Sequence, residues 1–353
     1  MPAWPTDAVP RGPAFAPLAR AAAPPPPSLS PGGGGAQRPS PRGPCPVATI
    51  AADTAPRARR STGPGLLPYL LSLPALLVTI GILIPFATAV YYSLQRYNLA
   101  FPAGRKLIWL DNFVALFSDG RFWGTIQASL TYTVLTVGVQ LLLGLGIALL
   151  LVRRSLINNL MSVLLILPLM VAPAIASLMW KLMTNPNFGI LSYFVTSLGF
   201  TDFRWASDPA SAMFTVVLVD TWVYTPFIAI LLLAGLRALP RQPFEAAELD
   251  GVPRSFVFFR ITLPMLLPYI LTASLFRMLD SIQQFDIVYA MTQGGPGDRL
   301  MLFQIRAYLE AFTFTNIGRS AAILMVLWAI TFALSNVFIK QWLRLRARAH
   351  GRA

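Results

Sequence analysis

Long uninterrupted apolar runs, rather than apolar stripes, constrain this chain more than any other feature. A helix needs about 20 apolar residues to cross a ~30 Å hydrocarbon core. Six runs of that kind occur, at residues 66–94, 126–152, 156–183, 212–236, 261–279 and 318–339. Composition points the same way: 55% of residues are hydrophobic and only 12% charged, about half the ~25% of a soluble domain. The spacing predicts an all-α integral membrane protein, a bundle of six transmembrane helices spanning residues 65–343. Pro74, Pro85, Pro168, Pro173 and Pro226 fall inside these runs. Within a bundle, neighbouring groups can satisfy the carbonyls that proline frees, so these residues predict kinks rather than helix ends. Arg277 and Asp280 fall at the far end of the fifth run.

Residues 1–64 read differently. They are rich in Pro, Ala, Gly and Arg, bury too little apolar surface to offset the entropy of ordering, and are expected to be disordered. No apolar core with a small-residue cleavage site precedes the first run, which argues against a secretory signal. Cys45 has neither a disulfide partner nor metal-ligand neighbours, and His350, the single histidine, lies in the basic C-terminal tail of residues 344–353. Metal and histidine chemistry are therefore not expected, and a nucleophile–base pair of the kind an enzyme needs is missing.

The net charge of +14 does not imply nucleic acid, because the basic residues cluster at the ends of the apolar runs. Arg57, Arg59 and Arg60 precede the first; Arg153 and Arg154 link the second and third; Arg237, Arg241, Arg254 and Arg260 lie between the fourth and fifth; Lys340, Arg344, Arg346, Arg348 and Arg352 end the chain. With six crossings all four groups share a face. The opposite loops offset Arg96, Arg105, Lys106 and Arg121 with Asp202, Asp208, Asp286, Asp298 and Glu310. The positive-inside rule then places both termini in the cytoplasm of a bacterial-type inner membrane, with anionic lipid as a neighbour.

The loop at about residues 240–260 carries the most specific signal. Pro243 near a helix start and Gly251 just past a helix end predict a short capped helix, with Glu245 and Glu248 in its early turns, where negative charge suits the dipole. By itself that is also the pattern of a connector lying on the membrane. The full series is Glu245-Ala246-Ala247, three residues, Gly251, nine residues, then Ile261-Thr262-Leu263-Pro264. It resembles the EAA loop of binding-protein-dependent ABC importer permeases at every position and in both spacings, and Asp250 before the glycine is also typical. The resemblance implies that residues 245–251 form a coupling helix docked on a nucleotide-binding subunit. Gly251 would supply the turn and Leu263-Pro264 the angle of entry into the fifth helix. It further implies a second permease, two ATPase subunits that hold the ATP and magnesium, and an extracytoplasmic solute-binding protein. This chain itself has no Gly-x-x-x-x-Gly-Lys-Ser/Thr phosphate loop.

A second series runs from Phe276-Arg277-Met278-Leu279-Asp280 through Phe285-Asp286-Ile287-Val288-Tyr289 to Thr292-Gln293-Gly294-Gly295-Pro296. With Asp220-Thr221-Trp222 and Thr225-Pro226-Phe227 it resembles permeases of the maltose, trehalose and glycerol-3-phosphate type, which implies a sugar or polyol as cargo. Polar groups in a membrane helix usually face a cavity. The candidates for the substrate path are thus Asp220, Trp222, Tyr224, Arg277, Asp280, Gln283, Gln284 and Asn336, with Gln140 beside them. Two bland readings stand next to this one: Arg277 and Asp280, three apart, can simply pair, and Trp222 and Tyr224 can be interfacial or lipid-facing. The glycine-rich stretch at residues 294–297 reads as an outer turn near the binding-protein surface. A proton-coupled transporter is the rival class, with Asp220 as its acid.

Overall fold

The structure, a computed structural model, describes residues 66–350 apart from Arg154, Thr201 and Asp202, and without the side chains of residues 66–69 and 345–350. The predicted tail of residues 1–64 with Cys45, Arg57, Arg59 and Arg60 lies outside the described residues, as do Arg352 and the side chains of Arg346, Arg348 and His350. The described residues up to Thr79 and those from Ile80 onward belong to two units. In the first, the described side chains from Leu70 to Val78 are exposed apart from a half-buried Ser72.

Helix α1 (Leu66–Ser93) leads to a small antiparallel hairpin, β1 (Gln95–Arg96) with β2 (Lys106–Leu107), and to the short α2 (Asp111–Ser118). The long α3 (Gly120–Leu151) follows, then α4 (Leu156–Leu164), α5 (Leu167–Met170), α6 (Pro173–Met183) and α7 (Ile190–Ser197). Next come α8 (Pro209–Ala238), α9 (Gln242–Leu249), α10 (Arg254–Phe256), α11 (Leu263–Ile282), α12 (Asp286–Thr292), α13 (Phe303–Tyr308) and α14 (Ile317–His350). A π-helical turn, Val257–Thr262, joins α10 to α11 without a break.

Among the described residues, five helical stretches are long and apolar enough to cross a membrane, and a bent pair makes a sixth if it counts as one span. The bent pair corrects the expectation of a single third helix over 156–183: Leu156–Met170 and Pro173–Met183 meet at 90°. Pro173 disfavours helical geometry in the residue before it, and Ala172 is accordingly extended, with ψ at 132°. Other runs prove longer than their apolar stretches. The second starts at Gly120, the fifth takes in Arg277 and Asp280 and ends at Ile282, and the last continues as helix through the predicted tail to His350.

The core is built by α3, α8 and α11. On α3 the buried positions 122, 125, 128, 129, 132, 133, 136, 140, 144, 148 and 151 follow one another at helical spacing and fall on one face. Gln140 meets Asp220 and Gly144 meets Ile228, so α3 and α8 run in the same direction. Arg277 meets Asp220 and Tyr269 meets Gly235, so α11 runs against them. The backbones approach closely because the contact residues are small. A Cβ on Gly144 would lie 2.7 Å from Ile228 Cγ2, and one on Gly235 would lie 2.6 Å from Tyr269 Cγ. At the α9 end of the bundle Arg237 Nη2 donates to the Leu151 carbonyl at 3.0 Å, closing the C-terminus of α3.

A leucine at position 144 or 235 must push two helices apart. Gly144→Leu and Gly235→Leu are each expected to cost about 1–3 kcal/mol by overpacking. The check is thermal unfolding of the purified protein, which should show a lowered midpoint in both variants.

Candidate functional site: a loop helix and a buried ionic network

Helix α9 forms where the sequence places it. Pro243 sits in the first turn, where its missing N–H is not needed, and Glu245 lies beside it. At the other end Asp250 caps the helix, Gly251 N donates to Glu248 O at 3.1 Å, and Val252 N donates to Ala247 O at 3.1 Å. These two bonds form a Schellman turn, which needs a left-handed residue after the cap. Gly251, with φ at +65°, supplies it. Phe244 and Ala247 are buried, while Glu245, Ala246, Glu248 and Asp250 are exposed and Leu249 is 89% exposed. The helix thus anchors one face on its own chain and presents two acids, a small residue and a bare leucine on the other.

Ile261, Leu263 and Pro264 follow inside the helical stretch that enters the bundle. Arg254 to Ile282 is one continuous helical span of 29 residues. Pro264 cannot donate to a preceding carbonyl, and the π turn at Val257–Thr262, where Thr262 Oγ1 bonds Val257 O at 3.3 Å, takes up the mismatch.

Halfway along the bundle the polar candidates converge. Arg277, 1% exposed, forms a salt bridge with Asp220, which is wholly buried, and a second with Asp280, which is half exposed. Its Nε donates to Gln140 Oε1 at 2.7 Å, and Gln140 Nε2 donates to Asp220 Oδ2 at 2.8 Å. Gln284 Nε2 reaches Asp220 Oδ1 at 3.3 Å. The Tyr224 ring covers the guanidinium, whose Cζ lies 4.1 Å from its centroid, a cation–π contact in a desolvated setting. One turn away on each helix, Thr136 Oγ1 and Ser281 Oγ share a hydrogen bond of 2.8 Å. Three helices are therefore tied by charge-assisted bonds at one level. Arg277 pairs with Asp280 on its own helix, as its spacing allowed, and also bridges to α8 and α3.

The remaining candidates lie apart from this cluster. Trp222 packs edge-on to Trp180, with ring centroids at 6.0 Å. Gln283 is exposed beside a groove. Asn336 bonds the Phe332 carbonyl of its own helix at 3.0 Å. Sequence reasoning missed Tyr132, which is wholly buried with its hydroxyl next to Asp220. The signal was present, since Tyr132, Thr136 and Gln140 are spaced by four within an apolar run. It also missed a second ionic cluster at the end of the bundle opposite α9. There Asp119 accepts from Arg306 Nη2 and Arg319 Nη2, each at 2.8 Å, and Arg319 Nε lies 3.2 Å from Glu310 Oε1. The glycine-rich stretch forms the expected turn, with Gly294 at φ +93° and Gly297 at φ +57°.

Residues 140–348 match the family model described as a binding-protein-dependent transport system inner membrane component. This chain belongs to that family. It is a multi-pass membrane protein, and the matched region runs from Gln140 through α9 to the last helix. Among its relatives is a trehalose/maltose transport system permease protein of Thermococcus litoralis, 31% identical over 273 residues, 77% of this chain and 92% of that one. An sn-glycerol-3-phosphate transport system permease protein of Shigella dysenteriae is 34% identical over 280 residues, again 77% and 92% of the two chains. A sulfoquinovosyl glycerol transport system permease protein of Agrobacterium fabrum is 32% identical over 279 residues, 79% and 91% of the two. In fold the chain is similar to a subunit of a bacterial alginate ABC transporter, with a TM-score of 0.65 at 18% identity over 76% of this chain and 92% of that one.

Removing one partner of a buried ion pair strands the other charge, which costs about 3–5 kcal/mol. Asp220→Asn and Arg277→Gln are each expected to lower the thermal midpoint sharply. The double replacement, which leaves no stranded charge at that contact, is expected to recover most of the loss in the same melt.

Proposed function

We propose that this chain and a second permease together form the membrane path of an ATP-driven importer for a sugar or a related polyol or sugar phosphate. The observation that carries the reading is α9: a rigidly capped helix with Leu249 bare at 89% exposure, at the end of the bundle where Arg153, Arg237, Arg241 and Arg254 gather. An exposed leucine flanked by Glu245, Ala246 and Glu248 fits docking into a cleft on an ATPase subunit, with the α9 end in the cytoplasm. Two such subunits would bind the ATP and magnesium, and this chain is a non-catalytic partner. An extracytoplasmic binding protein would deliver solute to the opposite end, near the turn at residues 294–297. The cargo class rests on relatives named for trehalose and maltose, glycerol-3-phosphate and sulfoquinovosyl glycerol transport.

In this reading α9 moves as a rigid body when the ATPase subunits close, and the bundle rocks between two packed states. Asp220, Tyr224, Arg277, Asp280 and Gln284 would line the path when it opens. The same cluster weighs against proton coupling. Asp220, the acid such a transporter needs near the midplane, is already held by Arg277, Gln140 and Gln284.

The test is import by the reconstituted complex. Leu249→Ala and Gly251→Val are expected to reduce ATP-driven uptake at least tenfold, the first by removing the docking contact and the second by straining the left-handed turn. Normal uptake and normal assembly in both variants, or uptake that persists without ATP and collapses with the proton gradient, would sink the proposal.

A further inference from the structure

A groove of about 900 Å³ opens in the half of the bundle away from α9, within the size range of small-molecule clefts. Its walls come from the last turns of α1, the start of α14, α13 and the segment after α11. It is separate from the ionic network, yet continuous with it along the chain. Gln284 touches Asp220, while its neighbour Gln283 lines the groove.

One wall is a series of rings. Tyr289 and Phe285 stack with centroids at 4.8 Å and planes 15° apart, Phe285 and Tyr308 follow at 5.2 Å, and Tyr308 and Phe312 at 4.9 Å. Phe285, Tyr308 and Phe312 reach the groove itself, Phe312 with 72% of its surface exposed, and α1 contributes Tyr92 to the lining. Polar groups are few and placed beside the rings: the amides of Gln283 and Gln304 and the hydroxyls of Thr88 and Ser320. Among the described residues, none that lines it is charged.

We propose that this groove is a stacking site for pyranose rings, where solute slides along Phe312, Tyr308 and Phe285 before it reaches Gln283, Gln284 and the Asp220–Arg277 cluster. A pyranose presents C–H groups on its faces and hydroxyls at its edge. The negative face of an aromatic ring suits the first, and uncharged amides suit the second without the desolvation cost of a charge. A groove meant only for acyl chains has no use for two amides beside its rings. Phe285, Tyr308 and Phe312, with neighbouring centroids about 5 Å apart and planes tilted 52° and 36°, give a run of apolar contacts, so the solute can move without any single one holding it. The inference deepens the proposed function and rests on its sugar-importer reading.

The experiment uses the complete importer in proteoliposomes, with labelled maltose or another pyranoside that the wild type imports, at saturating binding protein. Replacing both Tyr308 and Phe312 by Leu keeps apolar bulk and removes the rings; import is expected to fall at least tenfold. Tyr308→Phe with Phe312→Tyr keeps the rings and is expected to import within twofold of wild type. Assembly with the second permease and binding-protein-stimulated ATP hydrolysis should stay within twofold in both. Unchanged import by the leucine variant would overturn the stacking site, as would loss of assembly, which would make the groove a subunit contact. Equal losses in the leucine and ring-conserving variants would also overturn it. A wild-type complex that imports polyols or glycerol phosphates but no pyranoside would overturn the stacking site and leave the importer reading standing, whereas one that imports none of these would sink the importer reading itself.

Discussion

The salt bridge between Asp220 and Arg277 is the interaction on which the bundle depends. Both groups are buried, and a lone charge in that position is very costly. The chain meets the cost by surrounding the pair. Gln140 bonds to both partners, Asp280 takes a second guanidinium nitrogen, Gln284 adds a bond to the carboxylate, and Tyr224 covers the guanidinium face. Apolar contact between helices in lipid is weakly directional, because lipid tails are as apolar as leucine. The network supplies the direction that apolar contact lacks: it fixes the height of α3, α8 and α11 relative to one another.

That arrangement bears on how a loop can drive a bundle. Helix α9 lies between α8 and α11 in the chain, and these are two of the three helices that the network joins. A push on α9 therefore acts on α8 and α11 together, and Gln140 carries α3 with them. The close approaches at Gly144 and Gly235 lie between the network and α9, so in the proposed reading the stretch that would transmit the push is closely packed. Asp280 is the half-exposed member of the cluster. It stands where an entering polar solute could exchange bonds with Arg277 without unseating Asp220.

Much of this was legible in the sequence, for identifiable reasons. Apolar run length is set by membrane thickness, so the spans could be read directly, and the caps of α9 follow from the residue types Pro243 and Gly251. What was not legible depends on geometry between distant residues. Arg306 sits between apolar runs, and nothing local shows that it is buried against Asp119, 187 residues away. Pro168 and Pro173 announced a kink, but its 90° angle arises from extended backbone at Val171 and Ala172. The π turn at Val257–Thr262, just ahead of Pro264, was not legible either. At the candidate site the polar residues were visible one by one. Their grouping was not, because it requires the relative heights of three helices. The ladder formed by Phe285, Tyr308 and Phe312 was hidden for the same reason: its rings come from three short segments outside the apolar runs.

Contact between α9 and an ATPase subunit is the point to measure. With Cys45 replaced by Ser, a single cysteine introduced as Glu248→Cys can be paired with cysteines along the cleft of the ATPase subunit in the reconstituted importer. A cross-link that forms in the assembled complex, changes in yield between the nucleotide-free and ATP-bound states, and blocks sugar import once formed is the predicted result. Efficient ATP-dependent import with no cross-link at any cleft position, or a cross-link that leaves import untouched, would contradict a coupling role for α9.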